Sequence, residues 1–166
     1  MTLHRNGAGD VLIRAANPDD VSVILRMIKE LADYEKMADQ VVADESLLRE
    51  SLFGARPAAE VLLAFAGEEP VGFAVYFHTF STFLARPGMY LEDLFVVPAW
   101  RARGVGKQLL ARVAQVAVDR GCGRMEWSVL DWNEPAIGFY KKLGARPMDE
   151  WTVYRLTGKT LNDAAS

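Results

Sequence analysis

Cysteine is almost missing from this chain. The single thiol, Cys122, excludes an internal disulfide, and with only His4 and His78 as histidines there is no Cys/His cluster at zinc-ligand spacing. A reduced, metal-free, cytoplasmic protein is the expectation. Long apolar runs are missing too: the longest, residues 61–66, is far too short to cross a bilayer, and the polar stretch 1–10 holds no signal-type apolar core. There is no excess of positive charge either. The net charge is −3, so no overall field gathers nucleic acid or an anionic membrane, and a cationic partner is favoured. No repeat, low-complexity tract or linker interrupts the 166 residues. One domain over 11–157 is expected, with a flexible lead at 1–10 and a tail at 158–166.

What is present is an ordinary globular composition, 51% hydrophobic and 25% charged. A short strand at 11–14 gives way to Asn17-Pro18-Asp19-Asp20, a capping residue followed by proline at the first helical position. Val21, Ile24, Leu25, Ile28, Leu31 and Ala32 then recur at helical spacing, to an end near Lys36. Further elements follow from local signals: a helix at 44–53, strands at 60–66, 71–79 and 89–97, and a helix from the Gly-containing loop to about Arg120, stopped by Gly121. A strand at 124–130, a short helix capped by Asn133 and ended by Gly144, and a closing strand at 151–156 complete a mixed α/β domain.

Between a strand and a helix stands Arg101-Ala102-Arg103-Gly104-Val105-Gly106-Lys107, where free backbone N–H groups and the positive end of a helix dipole converge on an anion. The two glycines allow close backbone approach, and three cations suit a diphosphate. A P-loop would need Gly at Arg101 and Ser or Thr at Gln108, and the dinucleotide fingerprint would need Gly at Leu109, so neither applies. A glycine-rich helix start with solvated arginines gives the same local composition.

In the strand 89–97, alternation puts Glu92 with Tyr90 and Leu94 on one face, and Asp93 with Leu91 and Phe95 on the other. The two acids do not share a cleft, which argues against a glycosidase-type pair. On an apolar strand covered on both sides, burial raises a carboxylate toward a usable base, whereas acids solvated or paired with Arg would be purely structural. Glu35 occupies a core-stripe position near a helix C-terminus, where the dipole disfavours an anion. A cation site would explain both violations, and so would a frayed last turn with Glu35 in water.

The stretch Tyr90-Leu91-Glu92-Asp93-Leu94-Phe95-Val96-Val97 followed by residues 101–107 resembles the pyrophosphate-binding motif of the GCN5-related N-acetyltransferase (GNAT) superfamily. The run Leu130-Asp131-Trp132-Asn133-Glu134-Pro135 to Phe139-Tyr140-Lys141-Lys142-Leu143-Gly144-Ala145 is similar to the diamine (spermidine/spermine) and thialysine acetyltransferase branch. The resemblance extends from Ile13-Arg14 to about Tyr154. It implies a single-domain, splayed, mostly antiparallel sheet of six to seven strands with about four helices, and acetyl-CoA as co-substrate wedged between the central strand and the one starting near Arg124.

By the same resemblance, main-chain groups of Phe95, Val96 and Val97 pair with the pantetheine arm. Ala102, Arg103, Gly104, Val105, Gly106 and Lys107 hold the pyrophosphate, and Asn133, Glu134, Pro135 and Ala136 contact the cofactor. Glu92 is the implied base and Tyr140, which also meets the cofactor, the implied acid for the departing thiolate. Tyr34, Glu35, Glu92, Asp93, Phe83, Glu150 and Trp151 would line the amine pocket.

The loop Phe80-Ser81-Thr82-Phe83-Leu84 lacks the acid and Trp of the polyamine enzymes and is closer to the thialysine type, so a shorter diamine or lysine-like amine is as fitting as spermidine. The expectation is an N-acetyltransferase for a small amine, homodimeric by resemblance, with no metal, nucleic acid or membrane partner. A non-catalytic acyl-CoA-binding protein on this scaffold and a protein or peptide acetyltransferase are the alternatives.

Overall fold

The structure is a computed structural model that describes residues 11–166; the expected lead at 1–10 lies outside the described residues. The chain divides into two compact units, one ending at Ser128 and one spanning Val129–Ser166. The first carries a sheet in the order β1-β2-β3-β4-β5, formed by β1 (Val11–Ala15), β2 (Glu60–Ala66), β3 (Glu69–Ser81), β4 (Arg86–Val96) and β5 (Met125–Glu126). The first four strands pair antiparallel and β5 runs parallel to β4.

The first long helix is built as its caps foretell. The Asn17 side chain accepts from Asp19 N, and Asp20 closes a capping box with the Asn17 backbone while taking a two-point ion pair from Arg14. That starts α1 (Val21–Tyr34), which ends where Lys36 enters the left-handed region at φ 60°. Next come α2 (Glu45–Phe53), capped by Asp44, and α3 (Val105–Asp119).

The helices cover opposite faces of the sheet. Ile24 and Met27 of α1 join Val61, Leu63, Phe73, Val75 and Phe95 in one buried cluster. Alternation turns Leu62, Ala64, Gly72 and Ala74 to the other face, where α3 lies. At Gly72 a Cβ would stand 2.9 Å from the Phe95 carbonyl and 3.2 Å from a Leu109 methyl, so the close approach of α3 needs glycine there. Cover on both faces accounts for the unbroken apolar runs of β2 and β3.

The sheet has five strands where six to seven were expected. The strand expected at 124–130 shrinks to β5, paired only as Met89↔Met125 and Tyr90↔Glu126. The cause is nonlocal: β3 and β4 shift register between Val75↔Asp93 and Tyr76↔Leu91, leaving Glu92 as an extra residue in β4. Such a bulge bends the strand and increases its twist, so the parallel ladder stops just before it.

The second unit contains α4 (Glu134–Lys142), capped by the buried Asn133, which accepts from Ala136 N, and followed by Gly144 at φ 88°. The closing strand expected at 151–156 is absent from this unit: Trp151, Val153, Tyr154 and Leu156 are exposed and in no ladder. Their alternation is strand-like, but a strand exists only on a partner edge, and Val129–Ser166 supplies no other strand to pair with. The expected tail contains α5 (Gly158–Ala164), begun by a Thr157 capping box. Among the described residues no helix is long and apolar enough to cross a membrane.

Candidate active site

The site in the first unit grows from the bulge. Because Val75 stands opposite Asp93 in the register, both side chains share the α1 face with Phe73 and Phe95. Glu92, the residue out of register, is exposed, whereas Asp93 is half-buried. The expectation of a carboxylate raised by burial therefore falls on Asp93. Its pKa is pushed up to about 7, first by burial and then by the nearby charges of Glu92 and Glu35. Glu35, just past the end of α1, is likewise half-buried and raised by burial. It is neither a solvated end nor an ion-paired one.

Among the described residues, no Lys or Arg stands within ion-pair distance of Glu35, Glu92 or Asp93, although five other acids are so paired. Three acids from the end of α1 and the bulge of β4 thus interact without a counter-cation. Such a group repels itself and attracts a positively charged ligand.

Beside it, β4 turns through Pro98-Ala99-Trp100 into the glycine loop. Ala102 at φ 60° and Gly104 at φ 83° both occupy the left-handed region, a curvature that brings backbone N–H groups together ahead of α3. The first N–H inside the helix ladder is that of Gln108, bonded to Gly104 O at 3.0 Å. The N–H groups of Val105, Gly106 and Lys107 precede it and have no partner within the helix. Free N–H groups converging in this way are suited to an anion such as a pyrophosphate.

The open edge of β4 lies alongside. The Val97 N–H bonds back to Val71 O on β3, so by alternation the main-chain groups of Val96 face away from β3, on the side where β5 has already ended. Two cations of the loop lie over rings: Arg103 is 4.7 Å from the Trp100 ring centroid, and Arg101 folds over Tyr34 and Phe95.

The first unit therefore brings together Tyr34, Glu35, Asp93, Phe95 and Arg101, with Glu92 next in chain and Val96, Val97 and Ala102 to Lys107 adjoining. It does not bring Phe83 to them. Phe83 is fully exposed in the hairpin turn before Arg86, and seven residues of strand, about 23 Å, separate Arg86 from Asp93. In the second unit, Asn133, Glu134, Pro135 and Ala136 form the first turn of α4, and Tyr140 lies two turns along, its ring 5.5 Å from that of Phe139. Glu150 and Trp151 are exposed, with Trp151 N bonded to Met148 O. The sequence carried no signal for the bulge, and the stacking of Arg101 was equally unannounced.

Left-handed loop residues ahead of α3 and three acids outside those ion pairs thus lie on neighbouring elements of the first unit. The comparisons make the class specific. The chain matches the Acetyltransferase (GNAT) family over residues 25–145. It is 42% identical to the thialysine N-epsilon-acetyltransferase of Sus scrofa, over 93% of this chain and 97% of that protein. It is 34% identical to the L-ornithine N5-acetyltransferase of Arabidopsis thaliana, over 90% of this chain and 85% of that one. An integron cassette protein from the mobile metagenome of V. cholerae shares its fold at TM-score 0.79 and 29% identity, covering 93% of this chain and 97% of that one.

The chain belongs to the GNAT acetyltransferase family. It is an N-acetyltransferase whose reaction is acetyl transfer to an amine, and acetyl-CoA is the donor that this family uses.

Proposed function

We propose that the protein acetylates the side-chain amine of a small cationic substrate, a lysine-like or ornithine-like amino acid or a short diamine, with Glu92 as proton acceptor and Tyr140 as proton donor. The observation that carries this reading is the set of three acids without a counter-cation. Thialysine and ornithine, named for the two relatives, both offer a primary amine on a short flexible stem. The hairpin loop without an acid argues in the same direction, since long polyamines need partners for additional charges.

Acetyl-CoA supplies the activated acetyl thioester. The N–H groups from Ala102 to Lys107 hold its pyrophosphate, the outward-facing main-chain groups at Val96 pair with its pantetheine arm, and Asn133 to Ala136 meet it from α4. The Val96 carbonyl, already accepting from Arg101, keeps a second lone pair for that contact.

The substrate amine arrives protonated: with a pKa near ~10.4, only about one molecule in a thousand is neutral at physiological pH, a cost of about 4 kcal/mol. Glu92, out of the strand ladder and open to water, takes that proton directly or through water. Asp93 and Glu35 hold the ammonium beforehand, and the cation in turn favours their ionised forms. Tyr140 returns a proton to the departing thiolate. By the same reading the enzyme works as a cytoplasmic homodimer.

A thiol-release assay with acetyl-CoA against thialysine, ornithine, lysine, putrescine, spermidine, spermine and a lysine-containing peptide tests the substrate class. The expected result is highest kcat/KM on the short amines. Turnover of the peptide alone, or of spermine above all others, would refute it. Glu92→Gln should lower turnover most steeply below neutral pH, and full activity with a flat pH profile would remove Glu92 from the mechanism.

A further inference from the structure

Arg101 begins the glycine loop, yet its side chain is folded back onto the elements beside it. Nε donates to the Val96 carbonyl at 2.9 Å. The guanidinium carbon sits 4.8 Å from the centroid of the Tyr34 ring and 5.4 Å from that of Phe95. One planar group thus spans three places: the last turn of α1, the buried face of β4 and the outward-facing carbonyl at the open edge of β4. Arginine suits this because its plane stacks on rings while Nε still donates in that plane; an ammonium offers a point charge and no plane.

We infer that Arg101 is a positioning residue that fixes the Tyr34 ring, and with it the Tyr34–Glu35 end of α1, against the strand that carries Asp93. The amine pocket and the phosphate loop are then held by one side chain. Tyr34 ends α1 and Glu35 follows it directly, past the helix ladder, with the chain reversing at Lys36. A helix end of this kind frays easily, and the guanidinium over its last ring opposes fraying. Because Phe95 lies two residues from Asp93, the same stacking registers Glu35 against Asp93, the two acids whose charges interact. As regards the amine pocket, this inference rests on the functional reading above.

The test separates the two. In the protein without substrates, 13C-labelled tyrosine spectra assigned through Tyr34→Phe should show the Tyr34 ring resonances shifted and broadened in Arg101→Gln, and less so in Arg101→Lys, with Tm confirming that all variants fold. That measurement stands whether or not the amine is correctly identified.

With the best amine of the panel, Arg101→Gln should raise its KM by about twofold to fivefold, the range expected of an exposed cation–ring contact. The dissociation constant of acetyl-CoA should change less than twofold. The double variant Arg101→Gln/Tyr34→Leu should lose less than the product of the two single effects, because the Arg101–Tyr34 contact is shared between them. Unmoved Tyr34 resonances would overturn the inference, as would multiplicative effects in the double variant. So would a large, salt-dependent loss of acetyl-CoA affinity with an unchanged amine KM, which would make Arg101 a pyrophosphate ligand.

Discussion

Asp93 makes the sharpest energetic prediction. Its carboxyl titrates at about 7 in the folded protein, against 3.8 for an unperturbed aspartate, because burial and the charges of Glu92 and Glu35 all disfavour its ionised form. A group raised in the native state binds more protons there than in the unfolded chain, so stability falls as pH rises through the interval between the two values. Well below pH 4 the group is protonated in both states and contributes nothing. From pH 4 to pH 7 it costs up to about 1.4 kcal/mol per pH unit, and above pH 7 the accumulated penalty levels off at about 4 kcal/mol.

Asp93→Asn mimics the protonated form at every pH. The difference in unfolding free energy between Asp93→Asn and the parent should therefore grow from near zero at pH 4 to about 4 kcal/mol in favour of the variant at pH 8. Taking the difference cancels titrating groups that do not interact with Asp93, among them Asp20 and Glu60, which change stability with the opposite sign, while Glu35 and Glu92, whose charges act on Asp93, remain part of it. Urea unfolding of both proteins from pH 4 to pH 8 measures it, with 13C titration of the Asp93 carboxyl as the direct check. A flat difference, or a carboxyl that titrates near pH 4, would refute the account of the acidic pocket. The stabilised variant should also bind the cationic amine less tightly, which ties the penalty to function.

Tyr140→Phe should lower turnover by about a hundredfold or more while the dissociation constant of acetyl-CoA stays unchanged, and an unchanged turnover would exclude Tyr140 as the acid. Gly104→Ala places a side chain at φ 83°, a strain of about 1–2 kcal/mol. Acetyl-CoA binding by calorimetry should weaken up to about tenfold as the cradle relaxes, and undiminished affinity would show that the loop tolerates the change. Arg120 pairs with Glu60 through two contacts of 2.5 and 2.8 Å, and its hydrogen bonding holds the Glu60 carboxyl below its usual range. Both side chains are partly exposed, so Arg120→Met should cost no more than about 1 kcal/mol at pH 7. Since Glu60 is lowered in the native state, that cost should vanish as pH falls below the carboxylate range, and a constant cost would assign it to lost packing instead.

Much of the architecture was readable along the chain. Asn17 and Asn133 do cap helices, Gly121 and Gly144 do follow helix ends in left-handed conformations, and the Ile24 and Val105 stripes do face the core. These signals are local: a cap or a 3.6-residue period is satisfied within a few turns of its own residues. The glycine loop ahead of α3 was legible for the same reason, since a glycine in the left-handed region before a helix is a local backbone preference.

The errors have a common origin in pairing between distant segments. The face assigned to Glu92 by simple alternation assumed an unbroken ladder, and one extra residue opposite Val75 and Tyr76 put Glu92 into solvent and left the burial to Asp93. The strands foreseen at 124–130 and 151–156 have the right composition, but a strand needs an edge in register, which composition does not supply. The chain alone thus determined the helices and the left-handed glycine loop, because each follows from residues near one another in sequence, and its motifs carried the family resemblance that gave the class of chemistry. Only the tertiary structure decided which carboxyl lies buried, where the sheet opens and what Arg101 holds, because each depends on which remote backbone and ring the fold sets beside it.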